Sequence, residues 1–477
     1  MAVVGAALAS VALLPAAGCD DGGASGAAAR RTPSPAYAAP WPQRPVVALS
    51  FDVAADRRRV AGVEDVRFTP DRRVCELVFR LWPNKPETAR AGNALTVGRV
   101  SVDGRPVAGR MSVAGGLPGR PGTLLEVPVK RCVEAGRTVR VRLGFTLTLG
   151  ADTPERVGYD VADRVAWFAS AFPLLAYERG HGWMREPAVD LIGEMAGSEE
   201  FRLERLDVVA PSGDVVAGTG AASPAVAGPR PGTTLHRFSA DAVRDVAVSV
   251  GRLATVTRQV GAVRVHVTGP RGTAVPLRTW ADLTAGSVRR LAELLGPYPY
   301  TDLWVTVLRD CPSGIELPGA IQFADIDPGR YPPLVSHEVA HMWFYGLVGN
   351  DQARDPWLDE SFATYAQAVA DHDEERYLDP TVSASLIGRL GAPMTAWAAL
   401  PDGSYSAGVY LQGGQALLRA RARVGPARFD RAIRAYVATN AHRVVRPADV
   451  QEAFAGRPEV LRLLSDAGAF AADPART

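Results

Sequence analysis

The sequence predicts a multidomain α+β protein in which an N-terminal antiparallel β-sandwich is followed by a mostly helical domain with a small sheet. The chain has 477 residues, more than one comfortable hydrophobic core can organise. Short alternating apolar runs, separated by Gly, Pro, Asp and Asn, fill the first half. After Pro276 the apolar period changes from that of strands to that of helices. This change predicts a domain boundary near residues 268–276.

The first residues predict an export signal. Ala2 to Ala17 is a short apolar run that ends in small residues, and it is too short to span a bilayer comfortably. The six residues that end at Cys19 resemble a bacterial lipobox, whose cysteine is acylated after cleavage. We therefore expect a signal peptide over residues 1–19 and a lipid anchor on Cys19. The protein would then lie on the extracytoplasmic face of the cell membrane, with ordinary secretion as the alternative.

The next two segments are predicted as a spacer and a sandwich. Residues 20–45 are rich in Gly, Ala, Ser and Pro without apolar periodicity, which indicates a flexible linker. Residues 46–267 form the predicted β-sandwich domain. Within it, Val139 to Leu143 alternates aliphatic and charged residues strictly, as expected of a strand with one buried face.

The cysteines of the first half allow a disulfide. Cys75 and Cys132 lie in or beside predicted strands, and an exported protein can keep such a bond. Two buried thiols are the alternative, and the sequence does not decide between them. If the two cysteines are bridged, Cys311 is left unpaired.

The charge distribution argues against one class of partner. The formal net charge is +2, and basic runs such as Arg57-Arg58-Arg59 are interrupted by acids. A nucleic-acid-binding surface would need a concentrated basic patch or stripe. We therefore expect no nucleic-acid partner.

The segment His337-Glu338-Val339-Ala340-His341 predicts a metal site. Residues four apart lie on one face of a helix, so both imidazoles can reach one ion. Catalytic zinc sites use three protein ligands and often imidazole nitrogens, and a glutamate between two such histidines acts as general base. We expect one Zn²⁺ per chain with Glu338 as the base. The alternative is an unrelated pair of histidines beside a solvated glutamate.

The third ligand is predicted on the next helix, which begins near Pro356. Glu360 follows His341 with eighteen residues between them, enough chain to end one helix, turn and return alongside it. Two histidines and a glutamate form a known catalytic zinc set. Acids near helix starts are also common because they stabilise the helix dipole. The assignment of Glu360 therefore depends on the histidine pair.

These segments resemble the aminopeptidase N family of gluzincin metallopeptidases, which includes leukotriene hydrolase. The resemblance rests on the ligand spacing and on Trp357-Leu358-Asp359-Glu360. The family usually has asparagine where Asp359 stands and glycine at Ser361, and neither position supplies a ligand. The resemblance implies a thermolysin-like zinc peptidase domain over residues 268–477. It also implies the hydrolysis of peptides from their N-terminal end.

A second motif carries the implied substrate contacts. The segment from Ser313 to Gly319 resembles the family's Gly-x-Met-Glu-Asn motif, although Ile315 and Leu317 replace its methionine and asparagine. The resemblance assigns Gly314 and Glu316 to substrate binding, with Glu316 holding the free α-ammonium group. A carboxylate and an ammonium form a charge-assisted hydrogen bond. A structural turn residue is the alternative for Glu316.

A tyrosine completes the implied site. In the family a tyrosine followed by x-Lys-Gly donates a hydrogen bond to the oxyanion, and Tyr410 matches it with Gln412 in place of the lysine. Tyr405 is the second candidate. Helix packing is an equally common role for a single tyrosine.

Three functions stay open from the sequence. The first is a zinc aminopeptidase, and the second is a zinc endopeptidase, if Glu316 does not bind the amine. The third is a surface binding or scaffold protein with a vestigial zinc site. Only 67 residues follow Tyr410, so the resemblance implies a short form without the family's helical C-terminal domain and with a more open cleft.

Overall fold

The computed structural model describes residues 37–151, 156–191, 199–309 and 313–470. The first half consists mainly of β-strands, as predicted. In chain order the elements are β1 Val46–Val53, β2 Arg59–Phe68, β3 Val74–Arg80, α1 Pro86–Arg90, β4 Ala94–Val102, β5 Arg105–Pro106, β6 Arg110–Ser112, β7 Leu124–Val133, β8 Val139–Thr148, β9 Val157–Asp160, β10 Val165–Ala169, β11 Leu174–Leu175, β12 Tyr177–Glu178, β13 Gly182–Trp183, β14 Phe201–Pro211, β15 Val215–Gly218, β16 Ala221–Ala222, β17 Val226–Ala227, β18 Thr233–Val243 and β19 Ala247–Gly251.

These strands form a β-rich domain whose largest sheet has the order β16-β18-β14-β1-β2-β8-β4-β5, with β17 on β18. Two further sheets have the orders β15-β19-β10-β9 and β11-β3-β7-β6. The buried residues of β2 and β8 alternate with exposed ones, so one face of each strand lines the core. One strand pair departs from the predicted antiparallel arrangement. The pair β1–β14 is parallel, because the long connection between these strands returns the chain to the same end of the sheet.

A disulfide joins Cys75 and Cys132. The antiparallel register of β3 and β7 pairs Val74 with Val133, which brings the two cysteines side by side. The bond closes a sequence separation of 57 residues. In the chain-entropy account, a disulfide that closes a loop of this length stabilises the fold by roughly 4 kcal/mol, because it restricts the unfolded chain. Cys311 lies outside the described residues.

The second half is mostly helical and contains a small sheet, as predicted. In chain order the elements are β20 Ala254–Val260, β21 Val263–Gly269, α2 Leu277–Leu295, β22 Asp302–Leu308, β23 Gly314–Leu317, β24 Ala320–Ala324, α3 Pro332–Ala340, β25 Val348–Asn350, α4 Trp357–Asp371, α5 Glu375–Leu378, α6 Met394–Trp397, α7 Gln412–Val424, α8 Pro426–Asn440, β26 Arg443–Val445, α9 Pro447–Ala453 and α10 Pro458–Asp466. The predicted fold class is confirmed.

The boundary between the halves lies earlier in the chain than the sequence predicted. A five-stranded sheet has the order β20-β21-β22-β24-β23, so residues 254–269 pair with strands of the second half. A division at 267/268 would cut through β21, which is hydrogen-bonded to β22. The sheet pairing moves the division to the short link between β19 and β20. The change of period near Pro276 marks the start of α2 instead.

The site lies where the edge strand of this sheet meets two helices. Strand β23 pairs with β24 on one side only and faces α3 with the other. The helices α2, α3 and α4 pack against one another through buried apolar side chains. Behind them the ring of Trp280 on α2 lies 4.9 Å from that of Phe323 on β24. The sheet and helices thus fix the frame on which the site is built.

The end of the predicted flexible linker is docked against the folded body. Trp343 Nε1 donates to the hydroxyl of Tyr37 over 3.1 Å, and that hydroxyl donates to the carbonyl of Pro297. The amide of Ala38 donates to the carbonyl of Ala438 over 3.0 Å. The linker prediction is therefore wrong for residues 37–45, because Tyr37 packs beside the end of α3.

The remaining N-terminal predictions are untested. The signal peptide, the lipobox cysteine Cys19 and most of the linker lie outside the described residues. Among the helices that are described, none combines the length and the apolar character that crossing a membrane requires. The membrane anchor stays a prediction.

Candidate metal centre

The end of α3 places two imidazoles at one point. His337 lies within the helix, and the next turn reaches His341, whose backbone N–H donates to the carbonyl of His337 over 3.3 Å. The four-residue spacing therefore puts both rings on one face. Their Nε2 atoms lie 3.1 Å apart, while the ring planes are 83° from each other. Both nitrogens point into the same small volume.

A carboxylate from α4 completes the cluster. Glu360 Oε2 lies 3.1 Å from His337 Nε2 and 3.3 Å from His341 Nε2. The donor atoms of the three residues all lie within 4.8 Å of one another. The structure thus brings together the three residues that the sequence predicts as ligands.

Hydrogen bonds to residues outside the cluster fix the orientation of both imidazoles. His341 Nδ1 donates to the carbonyl of Phe344 over 2.7 Å. His337 Nδ1 donates to Gln367 Oε1 over 3.0 Å. Each ring therefore carries a proton on Nδ1, so that the neutral form of each ring presents the Nε2 lone pair to a metal. Two neutral imidazoles and one carboxylate form a donor set that fits Zn²⁺.

The charges of the cluster agree with this assignment. Burial opposes ionisation of Glu360, but His341 and His337 hold the pKa of this carboxyl well below its usual range. Burial lowers the pKa of His337, which favours the neutral ring that a metal requires. For His341, nearby Glu316 and Glu360 outweigh burial and raise the pKa well above its usual value. The site thus attracts positive charge, which a divalent cation would supply.

The predicted base lies against the edge strand. Glu338 is 5% exposed and faces the cleft between α3 and β23. A Cβ atom on Gly314 would lie closer than 3.0 Å to the Glu338 carboxylate, nearer than real Cβ atoms come. Only glycine therefore allows strand and base to approach this closely.

Glu316 lies on the same strand and is buried at 5% exposure. Its carboxylate lies beside the Glu338 carboxylate and the His341 imidazole, and one donor atom from each of the three residues lies within 4.8 Å of the other two. Glu316 Oε1 has no hydrogen-bond partner among the described residues. Burial raises the pKa of Glu316 to about 8, an effect that His341 partly offsets. A buried polar atom without a partner costs stability, so this oxygen is poised for a ligand.

Both candidate tyrosines reach the cleft. Tyr410 lies in a π-helical turn over Ser406–Leu411 that leads into α7. Its hydroxyl donates to Glu360 Oε1 over 2.6 Å, so it contacts the ligand carboxylate. Tyr405 lies beside it, with the two ring centroids 5.6 Å apart. Burial, together with Glu360, raises the pKa of Tyr410 well above its usual value, so its hydroxyl stays protonated.

These residues line one cleft of about 790 Å³, large enough for a short peptide. Its wall also contains polar residues that were not predicted from the sequence, among them Gln367, Arg156 and Tyr377. Gln367 could have been found, because it lies seven residues after Glu360 and therefore two turns along the same face of α4. Arg156 and Tyr377 carry no local signal. Arg156 comes from the first half of the chain, and its guanidinium lies 4.6 Å over the ring of Trp82.

Comparisons with known proteins agree with this geometry. Residues 328–390 match the sequence profile of the peptidase family M1 domain. A 35-residue segment is 57% identical to aminopeptidase N of Streptomyces lividans, and it covers 7% of this chain and 4% of that protein. The M1 zinc metallopeptidase from Deinococcus radiodurans matches with a TM-score of 0.62 at 20% identity, over 91% of this chain and 94% of that one. A mutant of that enzyme bound to a Tyr-Ser-Ala substrate matches with a TM-score of 0.63, at 20% identity, over 90% and 96% of the two chains.

The chain shares the fold of the solved M1 zinc metallopeptidases, and its two histidines and one glutamate form a donor set of the kind found in catalytic zinc sites. The family match over residues 328–390 further supports the M1, aminopeptidase N-like family, which the sequence predicted. The solved structures extend the shared two-domain fold to nearly the whole chain.

Proposed function

We propose that the protein is an aminopeptidase that removes N-terminal residues from peptides. The observation that carries this proposal is the buried, unpartnered Oε1 of Glu316, a residue that lines the cleft together with Glu338 and His341. An α-ammonium group would satisfy that oxygen and would favour the ionised carboxylate despite its burial. Because Glu316 lies close to Glu338, an amine bound there would place the first residue of the peptide beside the proposed base.

The other groups that peptide hydrolysis requires are a metal ion and a general base, and both are provided for in the cleft. Zn²⁺ held by His337, His341 and Glu360 would supply Lewis acidity and lower the pKa of water to about 7. Glu338 lies within the cleft as general base, takes the proton of the attacking water and passes it to the leaving nitrogen. The absence of a side chain at Gly314 lets strand β23 lie close to that carboxylate.

Tyr410 is the proposed oxyanion donor. Its hydroxyl is protonated, lines the cleft and already lies next to the ligand Glu360. To reach the substrate it exchanges its hydrogen bond with Glu360 for one with the developing oxyanion. Such a donor contributes about 10²–10³ in turnover.

A pair of matched peptides tests the aminopeptidase proposal. One peptide has a free N-terminus and its twin is N-acetylated, and the cut sites are determined by mass spectrometry. We expect cleavage of the first residue from the free peptide and at least a hundredfold lower kcat/KM on the twin. The Glu316→Gln variant, which keeps the size of the side chain, should lose most of this discrimination.

Equal cleavage of both peptides would favour the endopeptidase alternative and contradict the role of Glu316. No chelator-sensitive cleavage of either peptide would leave only the scaffold function. The Glu204→Gln variant serves as a control, because Glu204 is exposed in the first half and pairs with Arg67. It should discriminate between the peptides as the wild type does.

A further inference from the structure

His337 forms a hydrogen bond with a residue that is neither a metal ligand nor part of the proposed reaction. Its Nδ1 donates to Gln367 Oε1 over 3.0 Å, and Gln367 Nε2 donates in turn to the hydroxyl of Tyr377. Gln367 is 3% exposed on α4, and Tyr377 belongs to the short helix α5 on the cleft wall. A continuous chain of hydrogen bonds therefore connects the cleft wall to the metal site.

The orientation of the Gln367 amide decides which nitrogen of His337 can bind a metal. An amide presents an acceptor oxygen at one end and a donor NH₂ at the other. With the oxygen toward the ring, Nδ1 keeps its proton and the Nε2 lone pair points into the site. The reversed amide would favour the tautomer with a proton on Nε2, which cannot bind a metal. In the structure the NH₂ end donates to the Tyr377 hydroxyl, and this hydrogen bond stabilises the orientation in which the amide oxygen faces His337.

We propose that Gln367 is a positioning residue of the metal site and that Tyr377 sets its orientation. This inference rests on the proposed function, since it concerns the same zinc ligand. The amide is neutral, whereas metal-bound histidines are often oriented by carboxylates. The site already contains the carboxylates of Glu316, Glu338 and Glu360, and a neutral partner adds no further negative charge.

The affinity of the full chain for zinc tests the proposal without any peptide. The metal is removed, and the zinc dissociation constant is measured by competition with a chromophoric chelator. We expect Gln367→Ala to weaken binding by about 10–100-fold, as is typical for loss of such an outer partner. Gln367→Glu keeps an acceptor oxygen and the size of the side chain, so it should bind zinc at least as tightly as the wild type.

Gln415→Ala is the matched control. Gln415 is also 3% exposed, lies on α7 in the same domain and donates to the carbonyl of Pro380 over 2.6 Å. Its removal should leave zinc affinity unchanged. A control that weakens zinc binding as much as Gln367→Ala would contradict a specific role for Gln367.

The role of Tyr377 is tested by a double-mutant cycle. Tyr377→Phe should weaken zinc binding severalfold, and the double variant with Gln367→Ala should bind no more weakly than Gln367→Ala alone, because Tyr377 acts through Gln367. Fully additive losses, or wild-type affinity in both Gln367→Ala and Gln367→Glu, would overturn the inference. A wild-type chain that binds no zinc would instead overturn the proposed function itself.

Discussion

At the scale of single residues, each predicted ligand is held in place by a second contact. Phe344 and Gln367 orient the two imidazoles, and Tyr410 binds the oxygen of Glu360 that does not face them. The ligand atoms are therefore directed at one point by the protein itself. Such preorganisation reduces the entropic cost of binding the metal.

Comparison of the two tyrosines tests the proposed oxyanion donor. Tyr410→Phe should lower kcat by about 10²–10³ with a smaller change in KM. Tyr405→Phe is the matched control, because it removes a neighbouring hydroxyl from the same cleft wall, and it should lower kcat less than tenfold. A larger loss of kcat in the Tyr405 variant would reverse the two roles.

The sequence predicted the residues whose placement depends on local geometry. A helix fixes the relation of His337 and His341 by its period alone, so the pair could be identified without a structure. The position of Glu360 required only that a second helix return alongside the first. The contact between Gln367 and Tyr377 depends instead on how α5 packs against α4, which no local pattern encodes.

At the scale of secondary-structure elements, the misplaced boundary has a simple cause. Strands β20 and β21 alternate as sandwich strands do, and alternation shows that a strand has a buried face without showing which sheet it joins. Only the pairing of β21 with β22 assigns them to the second half. The docked residues 37–45 were missed because their composition resembles a linker, while Tyr37 and Trp41 supply the contacts.

The pairing of β21 and β22 contains a pH-sensitive link. Asp302 accepts hydrogen bonds from Arg264 over 2.8 and 2.9 Å and from His266 over 2.9 Å. Burial opposes ionisation, but these partners hold the pKa of Asp302 well below its usual range. A depressed pKa means that ionised Asp302 stabilises the fold above its unfolded pKa, which lies near 4. The stabilisation is lost as the pH falls below that value.

We therefore expect Asp302→Asn to lower the free energy of unfolding by about 1.5–3 kcal/mol at pH 7, as for hydrogen bonds to charged groups. Denaturant titrations between pH 7 and pH 2 should show the difference from the wild type shrinking below about pH 4. Asp282→Asn is the control, because Asp282 forms an exposed pair with Arg258 and should change stability little. A difference that stays constant down to pH 2 would contradict the account.

At the scale of the whole molecule, the first half contributes to the site as well as the second. Arg244, at the end of β18, is buried and donates to the carbonyls of Gly346 and Arg443 over 3.3 and 2.9 Å. It thereby supports the segment that follows His341. Arg156 brings a cation from the first half to the cleft wall. The β-rich domain thus supports the segment after His341 and helps to form the cleft.

The central claim is that His337, His341 and Glu360 bind one zinc ion, and elemental analysis of purified variants tests it most directly. After dialysis against a weak chelator, the wild type and Glu338→Gln should retain about one zinc per chain. Glu338→Gln should nevertheless lose turnover, because only the base has changed. Glu360→Ala and His341→Ala should retain almost no zinc while staying folded by circular dichroism. Full zinc occupancy in Glu360→Ala would contradict the account.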